Sequence, residues 1–159
     1  MNEAWYKAPE GLGLVRYEGD RILEIELPRV RKNMRSNGAA PPAVAELTTE
    51  LTAYFAGANN RVRLPKGLRL DWQGVNGFTK RVYDVVAQIP SGDTWSYGEV
   101  AAAAGKPGAA RAVGRAMATN PFPIFVPCHR VVRSDGSLGG FGGGLAMKER
   151  MLGFERGRA

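Results

Sequence analysis

Apolar and polar residues alternate along the first half of the chain in a pattern that predicts short strands. Leu12–Tyr17 and Ile22–Leu27 flank the turn-forming triplet Glu18-Gly19-Asp20, and the second segment alternates apolar residues with glutamates. A period of two is typical of a half-buried strand. The pattern therefore predicts a strand–turn–strand unit, and Leu64–Trp72 is a candidate for a further strand.

Helical spacing replaces this alternation around residue 43 and through most of the second half. Apolar residues recur three or four positions apart in five segments, which we predict as helices: Ala43–Ala56, Phe78–Ile89, Tyr97–Ala104, Ala109–Ala118 and Ala146–Phe154. Ser96 and Glu99 have the spacing of a capping box at the start of the third helix. The connector Gly105–Gly108 joins two short helices, as in a helix-turn-helix.

These patterns predict two domains that divide near Gly74–Asn76. Residues 1–75 are predicted as a small α/β domain and residues 76–159 as a mainly helical domain. Within the first domain, Val30–Pro42 is basic and then rich in Asn, Gly and Pro, which predicts a surface loop.

Charge is distributed unevenly between the two halves. The net charge is +7, of which residues 1–75 contribute +2 (11 basic, 9 acidic) and residues 76–159 contribute +5 (11 basic, 6 acidic). The segment Trp95–Arg133 holds five basic residues and one acidic residue, hence +4. An excess of this kind on a helix-turn-helix favours a nucleic-acid partner bound through its phosphates.

The chain of 159 residues contains one cysteine and one histidine, and they are neighbours. A single cysteine excludes an intrachain disulfide and a multi-thiolate zinc site, and a single histidine excludes a His-rich metal centre. We expect a reducing compartment. Since the sequence has no secretory signal, no long apolar run and no lipidation motif, we expect a cytoplasmic protein, nucleoid-associated if its source is a prokaryote.

Cys128 beside His129 is the simplest arrangement for an activated nucleophile, because an imidazole can take the thiol proton. Adjacent side chains of a strand point to opposite faces, so a working pair needs a bend, which Pro127 favours. The imidazole also needs a third group to orient it. Glu155, Glu149 and Asp135 are candidates that spacing alone does not separate.

Several spaced blocks of the second half resemble the O6-alkylguanine-DNA alkyltransferases, also called methylated-DNA–protein-cysteine methyltransferases. The blocks cover about eighty residues: Phe78–Pro90 (FTKRVYDVVAQIP), Asp93–Ala101 (DTWSYGEVA), Ala110–Met117 (ARAVGRAM), Asn120–Arg130 (NPFPIFVPCHR) and Gly136–Lys148. The last block includes a glycine-rich loop, with six glycines among residues 134–144. The combination of Asn-Pro with Pro-Cys-His-Arg makes this resemblance specific.

The resemblance implies both a fold and a function. The first domain would be a small ribonuclease-H-like sheet with a helix, and the second would carry a winged-helix-like helix-turn-helix. The protein would bind duplex DNA, rotate an O6-alkylguanine out of the stack and transfer the alkyl group irreversibly to Cys128 in one turnover. O6-methylguanine is the main substrate implied, and O4-methylthymine is a second candidate.

The resemblance also implies roles for residues of this chain. The catalytic group would be Cys128, His129, Glu155, Asn120 and Tyr97. DNA contacts would come from Arg111, Tyr97, Ala110, Gly114, Arg115, Arg130 and Ser134. The substrate pocket would be formed by Phe141, Gly142, Gly143, Val131, Met117 and Lys148. The family chemistry implies no cofactor, and we expect no metal and a monomer.

Departures from the family pattern and rival functions complete the sequence-based expectations. Phe141 stands where the family often has tyrosine, and the first half lacks the Cys/His cluster of zinc-binding relatives. One alternative is a non-transferring binder of alkyl damage, which Cys128 argues against. A second is a helix-turn-helix regulator, for which the alanine-rich helix offers few base-reading side chains. A third is a Cys–His hydrolase, which would not explain the arginine-bearing helix.

Overall fold

The computed structural model describes residues 1–32, 34 and 38–157, so part of the predicted loop Val30–Pro42 lies outside the described residues. The chain forms two compact units, Met1–Asp71 and Trp72–Ala159. Trp72 and Val75 pack against the apolar core of the second unit. This packing explains why the observed division comes before Trp72, whereas the change in composition lies near residue 75.

The first unit contains a four-stranded sheet with the order β1-β2-β3-β4. Its strands are β1 (Asn2–Ala8), β2 (Gly11–Glu18), β3 (Arg21–Arg29) and β4 (Arg69–Leu70). The first three strands are antiparallel neighbours, and β4 is parallel to β3. The strand–turn–strand prediction corresponds to β2 and β3, whereas β1 was not predicted.

Helix α1 (Pro42–Phe55) packs through aromatic rings against the β1 strand. The ring of Tyr6 stacks on Phe55 with centroids 5.6 Å apart, and both side chains are buried. Tyr6 also lies across Gly13, its partner in β2, where a Cβ would approach the ring to 1.9 Å. Only glycine therefore fits opposite this tyrosine.

The second unit is mainly helical. Its elements are α2 (Gly77–Ala87), β5 (Trp95–Ser96), α3 (Tyr97–Ala103), α4 (Ala110–Ala118), β6 (Val131–Val132) and α5 (Leu145–Glu155). Four helices were predicted here, and each begins and ends within two residues of the predicted bounds. The Ser96 hydroxyl accepts a hydrogen bond from the Glu99 amide at 3.0 Å, as a helix N-cap does.

An apolar core joins α2, α3 and α4 to the segments on either side of Cys128. Its fully buried members include Val82, Val86, Val100, Val113 and Val131. Because α2, α3 and α4 each contribute a side chain, this core fixes the helix-turn-helix against β6. Within the described part of the chain, no helix is long and apolar enough to cross a membrane.

Candidate functional site

A short 3-10 turn, Cys128–Arg130, carries the thiol and the imidazole. The Cys128 amide donates to the Val126 carbonyl at 2.7 Å, and the Arg130 amide donates to the Pro127 carbonyl at 2.8 Å. This turn supplies the bend that a neighbouring cysteine and histidine need. Both side chains are buried, with relative exposures of 7% and 1%.

Asn120 organises the loop that leads into this turn. Its Nδ2 donates to the Val126 carbonyl at 2.8 Å, and its Oδ1 accepts from the Phe122 amide at 3.0 Å. Between them, Ile124 adopts a φ of +79°, a left-handed conformation that is uncommon for a β-branched residue. A residue held there costs about 1–3 kcal/mol, so the asparagine and the buried loop impose this path on the chain.

His129 is anchored by a buried carboxylate from α5. Its Nε2 lies 2.9 Å from both oxygens of Glu155. A carboxylate only accepts hydrogen bonds, so Nε2 carries the proton and Nδ1 is the basic nitrogen of the neutral ring. Of the three carboxylates that spacing left open, Glu155 is the one that contacts His129.

Arg130 binds the same carboxylate through two hydrogen bonds. Its Nε donates to Oε1 of Glu155 at 2.9 Å and its Nη2 to Oε2 at 2.7 Å. A third hydrogen bond, 2.8 Å long, joins Nη1 to the carbonyl of Ile89. These bonds hold the guanidinium, which is 11% exposed, against Glu155, and the DNA contact expected from the sequence remains a prediction.

These contacts determine the charge states of Glu155 and His129. Burial opposes ionisation of Glu155, but hydrogen bonds from His129 and Arg130 outweigh it and lower the pKa to about 2. Burial lowers the pKa of His129, against the opposing effect of Glu155, and the charges of Arg130 and Lys148 lower it further. At neutral pH the site thus contains an ionised Glu155 and a neutral His129, which can act as a base.

The thiol itself rests in its protonated form. Burial raises the pKa of Cys128, while a hydrogen bond from Asn120 and the charge of Lys148 act in the opposite direction. A raised thiol pKa means that the thiolate has to be generated when it is needed. The neighbouring neutral imidazole is the group suited to take that proton.

Lys148 ties the end of the 3-10 turn to the glycine-rich loop. This fully buried side chain donates to the carbonyl of Val131 at 2.7 Å and also to the carbonyl of Leu138. Burial lowers the pKa of Lys148 to about 8, with the charge of Cys128 opposing the shift. Its role in the structure is to join two backbone segments.

Tyr97 and the glycine-rich loop lie against each other. A Cβ at Gly139 would come within 3.0 Å of the Tyr97 hydroxyl, so the loop backbone passes directly beside the phenol. Phe141 is half-buried further along the loop, and a Cβ at Gly143 would lie 3.1 Å from its ring. Burial raises the pKa of Tyr97, and the nearby Cys128 raises it further.

Helix α4 presents a separate surface of the second unit. Arg111 and Arg115 are exposed on it, while Val113 and Ala116 are buried beneath. Ala110, Gly114 and Met117 are half-exposed. Small residues and two unburied arginines on one short helix make a surface suited to close approach by a polyanion.

A sequence profile described as "6-O-methylguanine DNA methyltransferase, DNA binding domain" matches residues 77–157. This chain belongs to that family. The match begins at α2 and ends just after Glu155, so it spans every buried site residue described above.

Curated members of the methylated-DNA–protein-cysteine methyltransferase family extend the similarity beyond that domain. The Methanothermobacter thermautotrophicus protein is 42% identical over 121 residues, covering 76% of this chain and 66% of that protein. The Mycolicibacterium paratuberculosis protein is 47% identical over 116 residues, covering 73% of this chain and 67% of that protein. The matched segment thus spans about two thirds of these relatives.

A solved structure of the family matches the whole chain. Mycobacterium tuberculosis OGT in complex with DNA aligns with a TM-score of 0.80 and 35% identity, over 100% of this chain and 95% of that chain. An O6-methylguanine DNA methyltransferase from Methanococcus jannaschii aligns with a TM-score of 0.71 and 29% identity, covering 96% of this chain and 93% of that chain. The small sheet and helices described above are the fold of this family.

Two features of this family member were not identified from its sequence. One is the attachment of Arg130 to Glu155, which no local spacing reveals because 25 residues separate the partners. The other is Tyr83 in α2, whose buried hydroxyl donates to the Ala116 carbonyl of α4 at 2.9 Å. A single tyrosine at an apolar helix position gave no signal of this bond. Ser134 and Gly142 are exposed in the loop.

Proposed function

We propose that this protein repairs DNA by direct reversal, moving the alkyl group of an O6-alkylguanine to the sulfur of Cys128. The observation that carries the proposal is a buried thiol beside a neutral imidazole held by Glu155, within a chain of the methyltransferase family. The reaction class is transfer to the protein, with O6-methylguanine as the chief substrate and O4-methylthymine as a second one.

The first half of the chemistry is generation of the thiolate. His129 accepts the Cys128 proton at Nδ1, through a bridging water, and Glu155 stabilises the resulting imidazolium because its carboxylate is already ionised. Asn120 holds the thiol in position, because its side chain forms hydrogen bonds to the loop backbone and to the sulfur. General-base catalysis of this kind contributes typically 10²–10⁴-fold in rate.

The second half is departure of the guanine oxygen. A carbon–sulfur bond forms as the carbon–oxygen bond breaks, and the electron pair of that bond remains on the guanine. Tyr97 donates its phenolic proton to the base, which leaves as neutral guanine. Phenols are weak acids, so close positioning of the hydroxyl beside the loop is what makes the transfer effective.

The product is a thioether, and this makes the protein a single-use acceptor. The chain has no second cysteine to take the group onward, and its neutral histidine has no means of hydrolysing a carbon–sulfur bond. One turnover for each molecule follows from this chemistry.

DNA would be held mainly by α4 and the loop after β6. Arg111 would fill the gap in the stack that an extruded base leaves, since a guanidinium both stacks on bases and bonds to the orphaned partner. Arg115 and Ser134 would contact phosphates, and Ala110 and Gly114 would allow close approach in the minor groove. Arg130 remains a predicted DNA contact, although three of its donors already bind Glu155 and the Ile89 carbonyl.

The alkylated base would enter a pocket bounded by the glycine-rich loop. Phe141 would pack on the ring of the alkylated base, without the hydrogen bond that the family's usual tyrosine offers. Gly142 and Gly143 would let the loop backbone approach the base. Met117 and Val131 would form the apolar wall. Lys148 would hold the loop in place through its two carbonyl contacts.

Several finer expectations accompany this function. We propose that the first unit is ribonuclease-H-like and that the helix-turn-helix of the second is winged-helix-like. We further propose a monomer that acts on double-stranded DNA in the cytoplasm, associated with the nucleoid in a prokaryote. Neither a metal nor a cofactor is needed for a direct transfer to sulfur.

The decisive experiment is an intact-mass measurement after incubation with duplex DNA that contains O6-methylguanine. We expect one methyl group gained by each protein molecule, located on Cys128, and no gain in Cys128→Ala. Binding of the damaged duplex without a gain in mass would instead indicate a non-transferring damage binder. Repeated turnover with substrate in excess would contradict the single-use mechanism.

A second experiment separates base extrusion from chemistry. Arg111→Ala should slow transfer from O6-methylguanine in duplex DNA much more than transfer from a free O6-alkylguanine base, because only the duplex needs the gap filled. The matched control is Arg69→Ala, an exposed arginine of β4 that pairs with Asp20. Equal losses on both substrates would overturn the stack-filling role.

A further inference from the structure

Arg133 follows β6 and lies beside Tyr97, the first residue of α3. Strands β5 and β6 run parallel, with Ser96 paired to Val132, so the next residue of each strand brings Tyr97 and Arg133 side by side. The positive charge of Arg133 lowers the pKa of Tyr97 and the pKa of the buried Lys148. Arg133, which lies between the motif blocks Asn120–Arg130 and Gly136–Lys148, is thus next to the proposed proton donor Tyr97.

The backbone of Arg133 is fixed by a tight turn. Its amide donates to the Ser137 carbonyl at 2.9 Å, and its carbonyl accepts from the Gly136 amide at 2.9 Å. Within the same turn, the Asp135 carboxylate accepts from the amide and the hydroxyl of Ser137, at 2.9 and 2.7 Å. The Asp135 carboxylate, on which the charge of Arg133 also acts, is therefore hydrogen-bonded within the turn itself.

The Arg133 side chain remains available to a ligand. The residue is exposed, and within residues 1–32, 34 and 38–157 no carboxylate forms an ion pair with it. The neighbouring cations are arranged differently, since Lys148 is fully buried and Arg130 is bound to Glu155. Arg133 is therefore an exposed cation beside Tyr97, on a turn held by backbone hydrogen bonds.

We propose that Arg133 binds a backbone phosphate of the extruded nucleotide and so favours alkylguanine in DNA over the free base. This inference rests on the proposed function. A nucleotide whose base lies beside Tyr97 has its own phosphates close by. Arg133 is an exposed cation next to that tyrosine. A guanidinium is the side chain best suited to hold a phosphate, through two parallel hydrogen bonds.

The proposal predicts a substrate-dependent effect of Arg133→Gln. Transfer from O6-methylguanine in duplex DNA should slow about tenfold at subsaturating DNA, as expected for loss of a charged hydrogen bond. Transfer from a free O6-alkylguanine base should change less than twofold, because that substrate has no phosphate. The plot of log binding constant against log salt concentration should become less steep by about 0.9, the value expected for the loss of one phosphate contact. Arg133→Lys should recover part of the loss.

Arg150→Gln is the matched control, because it removes the same charge from α5, where Arg150 lies over the ring of Phe154. An equal loss in this control would show that only net charge matters, and would overturn the proposal. Equal losses of Arg133→Gln on DNA and on the free base would also overturn it, since Arg133 would then act on Tyr97. Failure of the wild-type protein to methylate Cys128 would instead refute the proposed function, independently of either variant.

Discussion

The Glu155 carboxylate receives both arms of the Arg130 guanidinium, at 2.9 and 2.7 Å, while its side chain is completely buried. The same two oxygens also accept the proton of His129 Nε2. One carboxylate therefore balances the charge of a buried arginine and orients the histidine beside the thiol. Burial and the charge of Arg130 keep His129 neutral, and Glu155 fixes the orientation of its ring.

Removing one partner of this buried pair should strongly destabilise the protein. Arg130→Gln leaves Glu155 buried without its main counter-charge, and such losses cost about 3–5 kcal/mol. Urea unfolding should show the decrease, with Arg130→Lys intermediate because the ammonium lacks the two-armed geometry.

Arg69→Gln serves as the comparison, because its pair with Asp20 is exposed, with side-chain exposures of 62% and 59%. That change should alter the free energy of unfolding by less than about 0.5 kcal/mol. Comparable effects at the two positions would contradict the importance given to the Arg130–Glu155 pair.

Acid should weaken the fold through Glu155 in a defined pH window. Its pKa is lowered from 4.5 to about 2, so the folded state favours the ionised form. The stabilisation is complete above pH 4.5 and is lost as the pH falls through 4.5 towards 2, to a total of roughly 3 kcal/mol. Glu155→Gln should show a flatter dependence of the free energy of unfolding on pH over this range. A slope unchanged by the substitution would show that other carboxylates dominate acid unfolding.

Lys148 should produce a dependence of the same sign at alkaline pH, where stability again rises with pH. Its pKa falls from 10.5 to about 8 in the folded protein, so between these values the unfolded chain binds more protons. The contribution of Lys148 to stability therefore rises as the pH increases from 8 to 10.5. The raised pKa of Cys128 acts with the opposite sign near pH 9, so the comparison has to be made between proteins that both retain the thiol.

The test compares wild-type protein with Lys148→Met over pH 7 to 11. We expect the difference in the free energy of unfolding to increase in favour of the wild type above pH 8. Lys148→Met should also lose the tether between Val131 and Leu138, and its rate of alkyl transfer should fall while Cys128 remains present. A pH-independent difference between the two proteins would show that Lys148 titrates normally.

Local patterns were sufficient for the elements whose signal lies within a few residues. The spacing of Val82, Val86 and similar positions predicted α2, and Ser96 marked the start of α3. Strand β1 was not predicted, because its inward side holds Ala4 and Tyr6 while Trp5 makes the outward side look equally apolar. The strand is recognisable only once α1 and Gly13 receive the Tyr6 ring.

The site was predictable to the extent that its residues are close in sequence or carried by a family motif. Cys128 and His129 are adjacent, so their chemistry was visible directly, whereas Glu155 was one of three carboxylates until α5 brought it to the imidazole. The attachment of Arg130 depends on a contact with the end of α2 as well as with α5. The sequence indicated only a DNA contact for this arginine, because it does not reveal which cations form ion pairs inside the protein.

Gly114 offers a prediction in which stability and DNA binding change in opposite directions. A Cβ at this position in α4 would meet nothing within 4 Å, so alanine fits without strain. Replacing glycine by alanine within a helix stabilises by about 0.5–1 kcal/mol, because the unfolded chain loses freedom. If α4 lies close against DNA as proposed, the added methyl group stands in the path of the duplex. Gly114→Ala should therefore unfold at higher urea concentration yet bind duplex DNA more weakly, while its reaction with a free O6-alkylguanine base stays at the wild-type rate. Unchanged DNA affinity in this stabilised variant would mean that α4 does not approach the duplex at Gly114.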